Sequence, residues 1–141
     1  MNFFFIFSSL LLQLRTYVQL LVDFMNSMDL TKKSCKPCEG GVSPLAGKDL
    51  EKLMKQVKEH WHLDPGEKKI SRHFEFQNFK HAFVFLMGIA HLAEEEGHHP
   101  DIFNSWNKVD LTLWTHAIGG LSENDFIMAA KIDKLFQQEF A

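Results

Sequence analysis

From about Lys48 onward the apolar positions follow first a helical rhythm and then an alternating one. Leu50, Leu53, Met54, Val57 and Trp61 recur at steps of three and four, which lays one apolar stripe along a helix. Ile70, Arg72, Phe74 and Phe76 then alternate with Ser71, His73, Glu75 and Gln77, the period of a strand with one face buried. Between them Asp64-Pro65-Gly66 predicts a turn with a strand on either side, Pro65 fixing its own φ and Gly66 permitting a positive one. The period becomes helical again at Phe79, Ala82, Phe83, Leu86, Met87, Ala90 and Ala93, with Asn78 as N-cap and Gly97 as the stop. It alternates once more with Val109, Leu111, Leu113 and Thr115 on one side and Asp110, Thr112, Trp114 and His116 on the other, so that His116 ends a strand. After Gly119 and Gly120, Ser122 and Asp125 form a Ser-x-x-acid signal that opens a last helix carrying Phe126, Ala129, Ile132, Phe136 and Phe140.

One further short strand is expected near 103–107 or 112–116. This order predicts an α+β fold with an antiparallel sheet and helices packed on one face. Ahead of it, residues 28–47 hold prolines, glycines and both cysteines and predict an irregular lead-in; the working domain is 48–141. Residues 1–27 are apolar from Phe3 to Leu14 and interrupted by Arg15 and Asp23. That run is shorter than the roughly 20 residues a bilayer requires. It also lacks the basic start and small-residue cleavage site of a secretory signal. It reads as an upstream extension, with the working protein beginning near Met28. The expected compartment is the cytoplasm, with organelle or secretory targeting by residues 1–27 left open.

The length of 141 residues and 45% apolar content fit a single core. A net charge of -3 leaves no electrostatic footprint for nucleic acid or an anionic membrane. Cys35 and Cys38 stand as Cys-x-x-Cys without a second pair, which leaves surface thiols as the leading reading, half a zinc site as the next and a redox pair as a third. The eight histidines are the more informative group, because imidazole exchanges protons near neutral pH. His98 and His99 are adjacent and are followed by Pro100, which disfavours helix at His99 and predicts a loop that presents the pair. His116 is expected to return to them from a strand. Three histidines meet the count for zinc, but their spacing favours acid and base chemistry. Trp106 and Trp114 are expected in the core, with the lining of a pocket as the alternative.

The HHP segment, the Trp106-Asn107-Lys108-Val109 strand and THAIGGLSENDF resemble the pterin-4a-carbinolamine dehydratase family, as do CKPCEGG, WHL and HFEFQNFKHAFVFL. The resemblance runs from about Cys35 to Ile132 and is closest to plant and microbial forms. It implies a four-stranded antiparallel sheet with three helices on one face in the order α-β-β-α-β-β-α, and a homodimer or homotetramer. The implied reaction is loss of water from a 4a-hydroxytetrahydropterin to give the quinonoid dihydropterin, in tetrahydrobiopterin recycling after an aromatic amino acid hydroxylase. It needs no metal and no organic cofactor. By position, His98, His99 and His116 surround the pterin, His99 and His116 carrying the closest proton transfers while His98 binds and polarises. Glu94 and Asp125 are the supporting carboxylates, and Pro100, Thr115 and the backbone at Ala117 contact the substrate. Of the three glutamates at 94–96, only Glu94 has a functional case. Gly97 and Asn124 depart from the acidic and basic residues of animal members. The alternatives to an enzyme are a dimerisation or coactivator partner of a transcription factor and a pterin-binding module.

Overall fold

In this computed structural model residues 13–22, 25, 28–37, 40–57 and 59–140 are described. The apolar residues 3–12, Asp23 and Cys38 lie outside them. The chain divides into two units, residues 1–33 and 34–141. In the first, residues 13–22 are helical with Leu14, Tyr17, Val18, Leu20, Leu21 and Val22 exposed, and Asp29 caps a short 3-10 turn at Leu30–Lys32. No helix among the described residues is long and apolar enough to cross a membrane.

The second unit contains α1 (Gly47–Val57), β1 (His62–Leu63), β2 (Ile70–Glu75), α2 (Phe79–Glu96), β3 (Asp101–Ser105), β4 (Lys108–Leu113) and α3 (Glu123–Glu139). The strands form one antiparallel sheet in the order β1-β2-β4-β3. This is the α+β arrangement expected from the sequence, with three α-helices among the described residues of this unit. Alternation dictates the core: Ile70 and Phe74 on β2 and Val109, Leu111 and Leu113 on β4 are buried, paired as Ile70↔Leu113 and Phe74↔Val109. Their neighbours Ser71, His73 and Glu75 face away and are exposed. Phe74, Phe85 and Phe136 meet at centroid distances of 4.8 to 5.9 Å, joining β2, α2 and α3 through tilted and edge contacts.

Several elements differ from expectation in register. α2 buries Ala82, Phe85, Ile89 and Ala93, whereas Phe79, Phe83 and Met87 are exposed. The helix is apolar nearly all round, so periodicity alone did not single out the buried stripe. α1 stops at Val57, and Trp61 lies beyond it in the core, its indole donating to Asp133 at 2.8 Å. Asp133 also pairs with Arg72; burial pushes its carboxyl up, against the downward pull of that indole and guanidinium. In the 64–67 turn the positive φ falls on Glu67 (54°), not on Gly66. The Asp64 carboxylate explains this: it accepts the backbone N–H groups of Lys69, Lys68 and Gly66, which hold it below the usual carboxylate range and wind the turn around it.

The extra strand lies at 101–105, directly after Pro100, and pairs with β4 through a two-residue loop of Trp106 and Asn107. Trp106 is exposed there, at φ 53°, and Trp114 is half-buried, so neither is a core residue. β4 ends at Leu113, so His116 does not end a strand. Instead Thr115 bridges to Gly120, its N–H bonding the Gly120 carbonyl at 2.8 Å, and His116 opens a 3-10 turn, His116–Ile118.

The rotated face of α2 is testable in unfolding by denaturant at protein concentrations low enough for monomer. Phe85→Ala is expected to cost about 3–5 kcal/mol. Phe83→Ala is expected to cost less than about 1 kcal/mol. The reverse ranking would show that the other face is the buried one.

Candidate active site

α2 ends where its sequence says it should. Gly97 takes the left-handed conformation at φ 62°, and both it and His98 donate their backbone N–H to the Ala93 carbonyl. That reversal turns His98 inward, where it is 5% exposed. Pro100 then releases the chain into β3. At the opposite side Ser122 caps α3, and the Asp125 carboxylate accepts the Ser122 N–H at 2.8 Å.

Asp125 is fully buried and joins these features. Its Oδ1 lies 2.6 Å from His98 Nε2, and its Oδ2 accepts the Thr115 hydroxyl at 2.8 Å. Ser122 Oγ lies 2.7 Å from Thr115 Oγ1, adding a second hydroxyl to the same line. A carboxylate without water is costly unless its lone pairs are filled, and here both oxygens are engaged at a helix N-terminus.

The other two imidazoles are outside. His99 is 59% exposed in its side chain, with Nε2 2.9 Å from Glu94 Oε1. His116 is 57% exposed, with Nε2 3.6 Å from Asp101 Oδ1. Asp101 Oδ2 accepts the Trp114 indole N–H at 2.8 Å, and the Trp114 ring lies 3.9 Å from the His116 ring, centroid to centroid. The Lys69 ammonium sits over the Trp114 ring, 4.1 Å from its centroid. Each histidine therefore has its own acidic partner: His98 with Asp125, His99 with Glu94, His116 with Asp101.

Of the eight residues singled out from sequence, His98, Asp125 and Thr115 share one hydrogen-bonded network, His99 pairs with Glu94, and His116 stands apart on Asp101. Thr115 is tied to His98 through Asp125, and Ala117 follows His116 in the exposed 3-10 turn. Asp101 was missed, although it stands two residues after His99 at the start of the edge strand. Trp114, expected in the core with pocket lining as the alternative, is half-buried and lies against His116. Among the described residues no group of three or more His, Cys, Asp or Glu is placed to hold a metal ion.

The lead-in is also part of this end of the molecule. The Cys35 N–H donates to Glu96 Oε2 at 2.8 Å, and Glu96 is ion-paired with Lys131. Asn124 accepts the Lys36 N–H at 3.0 Å and returns its own amide to the Lys36 carbonyl at 2.7 Å, as a neighbouring strand would. Glu95 pairs with His91 instead. The glutamates are therefore divided three ways, and Glu96, given no role from sequence, ties down the lead-in.

The pterin 4 alpha carbinolamine dehydratase family matches residues 43–135. A protein of Nitrosomonas europaea whose name places it in that family is 49% identical over 112 residues, 79% of this chain and 97% of its own length. One from Rubrobacter xylanophilus is 45% identical, covering 76% of this chain and 98% of that protein. A solved structure from Brucella melitensis, titled a transcriptional coactivator/pterin dehydratase, superposes with a TM-score of 0.62 at 34% identity, over 66% of this chain and 98% of that one. The fold is the small α+β arrangement of a four-stranded antiparallel sheet and helices. The chain belongs to the pterin 4 alpha carbinolamine dehydratase family.

Two groups at the lead-in titrate unusually. Burial, then the charge of Glu96 and a hydrogen bond with it, push the Cys35 thiol up to about 12. In Cys38→Ser protein near pH 8, iodoacetamide should modify Cys35 about a thousandfold more slowly than an ordinary thiol, and Glu96→Gln should speed it. Burial opposes the charge on Glu96, but the Lys131 hydrogen bond and the Cys35 N–H outweigh it and hold the carboxyl below its ordinary 4.5. A depressed carboxyl stabilises the fold above the unfolded value and loses that contribution as pH falls. The stability gap between wild type and Glu96→Gln, read by denaturant unfolding, should be full above about pH 5 and shrink in more acid solution.

Proposed function

We propose that this chain removes water from a 4a-hydroxytetrahydropterin, giving the quinonoid dihydropterin, by imidazole acid and base catalysis. The observation that carries this reading is the pairing of three histidines with three separate carboxylates, one pair buried and two exposed. Departure of the C4a hydroxyl as hydroxide is slow, so an acid must protonate the leaving oxygen. A base must take the proton from the adjacent ring nitrogen as the C=N bond forms. His99 and His116 serve as that acid and base. Their carboxylates are exposed and therefore hold the rings only weakly.

His98 has a different part. Locked on Asp125, it binds and polarises the pterin, with Thr115, Pro100 and the backbone at Ala117 completing the contacts. The reaction uses no metal and no organic cofactor, and its product belongs to cytoplasmic tetrahydrobiopterin recycling beside an aromatic amino acid hydroxylase. The chain works as a homodimer or homotetramer. That part of the proposal is supported by Phe79, Phe83 and Met87, exposed along α2, and by Ile102 and Phe103, exposed on the edge strand β3.

Dehydration of freshly generated carbinolamine, followed by absorbance, tests the chemistry. His99→Ala and His116→Ala should each lower kcat by about a hundredfold or more, with chelator present or absent. Unchanged turnover in both would sink the assignment and leave the non-catalytic readings. For the assembly, Phe83→Glu should lower the mass measured by light scattering; an unaltered mass would remove α2 from the interface.

A further inference from the structure

Of the three imidazoles paired with acids, His116 has the longest contact. Its Nε2 lies 3.6 Å from Asp101 Oδ1, beyond hydrogen-bond distance, and both side chains are more than half exposed. An ion pair in that setting contributes little and does not fix the orientation of a ring. His99 differs, since its Nε2 meets Glu94 Oε1 at hydrogen-bond distance, 2.9 Å. The backbone around His116 is held: the Thr115 N–H bonds the Gly120 carbonyl, and the Gly119 N–H bonds the His116 carbonyl. What the backbone leaves undetermined is the rotation of the His116 side chain.

Trp114 supplies that constraint. Its ring centroid lies 3.9 Å from that of His116, with the two planes inclined by 59°. The indole is itself pinned from both neighbouring strands by groups of opposite charge. Its Nε1–H donates to Asp101 Oδ2 at 2.8 Å, at the start of β3, and the Lys69 ammonium, at the entry to β2, stands 4.1 Å from its centroid. Asp101 therefore meets both rings, Oδ2 toward the indole and Oδ1 toward the imidazole, so the indole also sets which way the carboxylate turns.

We infer that Trp114 is a positioning residue: it holds the His116 imidazole in one orientation by ring contact and aims the second oxygen of Asp101 at it. The inference rests on the dehydratase reading and extends it to a residue that acts through His116. An exposed histidine has two side-chain torsions, and a ring left to sample their wells is aimed at a given atom for only part of the time. Holding it in one well removes that loss before substrate arrives, and misplacing a proton-transfer group by about 1 Å costs on the order of a hundredfold in rate.

The test is a double-mutant cycle on carbinolamine turnover in wild type, Trp114→Ala, His116→Ala and the double variant, with Trp114→Phe beside them. Trp114→Ala should lower kcat about tenfold with KM changed less than about twofold. Trp114→Phe, which keeps a ring without the N–H, should recover part of that loss. In the His116→Ala background Trp114→Ala should cost nothing further, because its effect passes through the missing imidazole. An equal loss with and without His116, or an unchanged kcat in Trp114→Ala, overturns the inference and leaves the dehydratase reading intact. Full turnover in His116→Ala overturns both together. A second measurement needs neither turnover nor a folded alanine variant: by NMR of the wild type, the ring current of the indole should move the His116 ring protons upfield of those of an exposed histidine. Unshifted resonances overturn the inference whatever the kinetics show.

Discussion

The buried carboxylate of Asp125 is the constraint on which this end of the molecule depends. Taking such a group out of water costs several kcal/mol unless its oxygens are hydrogen-bonded. Here its two oxygens take an imidazole, a hydroxyl and a backbone N–H, from the end of α2, the exit of β4 and the first turn of α3. Three elements distant in sequence are thereby fixed to one another at hydrogen-bond precision. The same carboxylate caps a helix and orients a histidine, so the start of α3 and the placement of His98 are a single structural event.

Around this fixed point the site divides by solvent access. His98 is held in a dry pair, where ring rotation would strand a buried charge. His99 and His116 sit against exposed acids whose attraction water and salt weaken. Residues of one type therefore stand in two different environments. The distinction comes from burial, since the three side chains are chemically identical.

The sheet, the helix caps and the histidine segment were legible in the sequence because each has a local cause. Alternation marked β2 and β4, Asn78 and Gly97 marked the ends of α2, and Ser122 with Asp125 marked the start of α3. The buried face of α2 was not legible, since Phe79, Phe83 and Phe85 are equally apolar and only the tertiary partner chooses among them. The alternation at Thr115 and His116 continued past the true end of β4, where Gly119 and the Thr115 to Gly120 bridge fold the chain back. The roles of Asp101, Glu96 and Asn124 are contacts with residues 13 to 88 positions away in sequence, and local patterns do not encode these.

The edge position of β3 bears on how the protein behaves in solution. Its outer backbone groups face away from the sheet, and Ile102 and Phe103 stand exposed beside them. A strand of this kind offers a template for another strand. Symmetric closure between copies uses up the edge; open-ended stacking propagates it. Under the assembly and activity proposed above, the same few atoms would govern both solubility and association, and a substitution that loosens closure would show itself as precipitation before it showed itself in turnover.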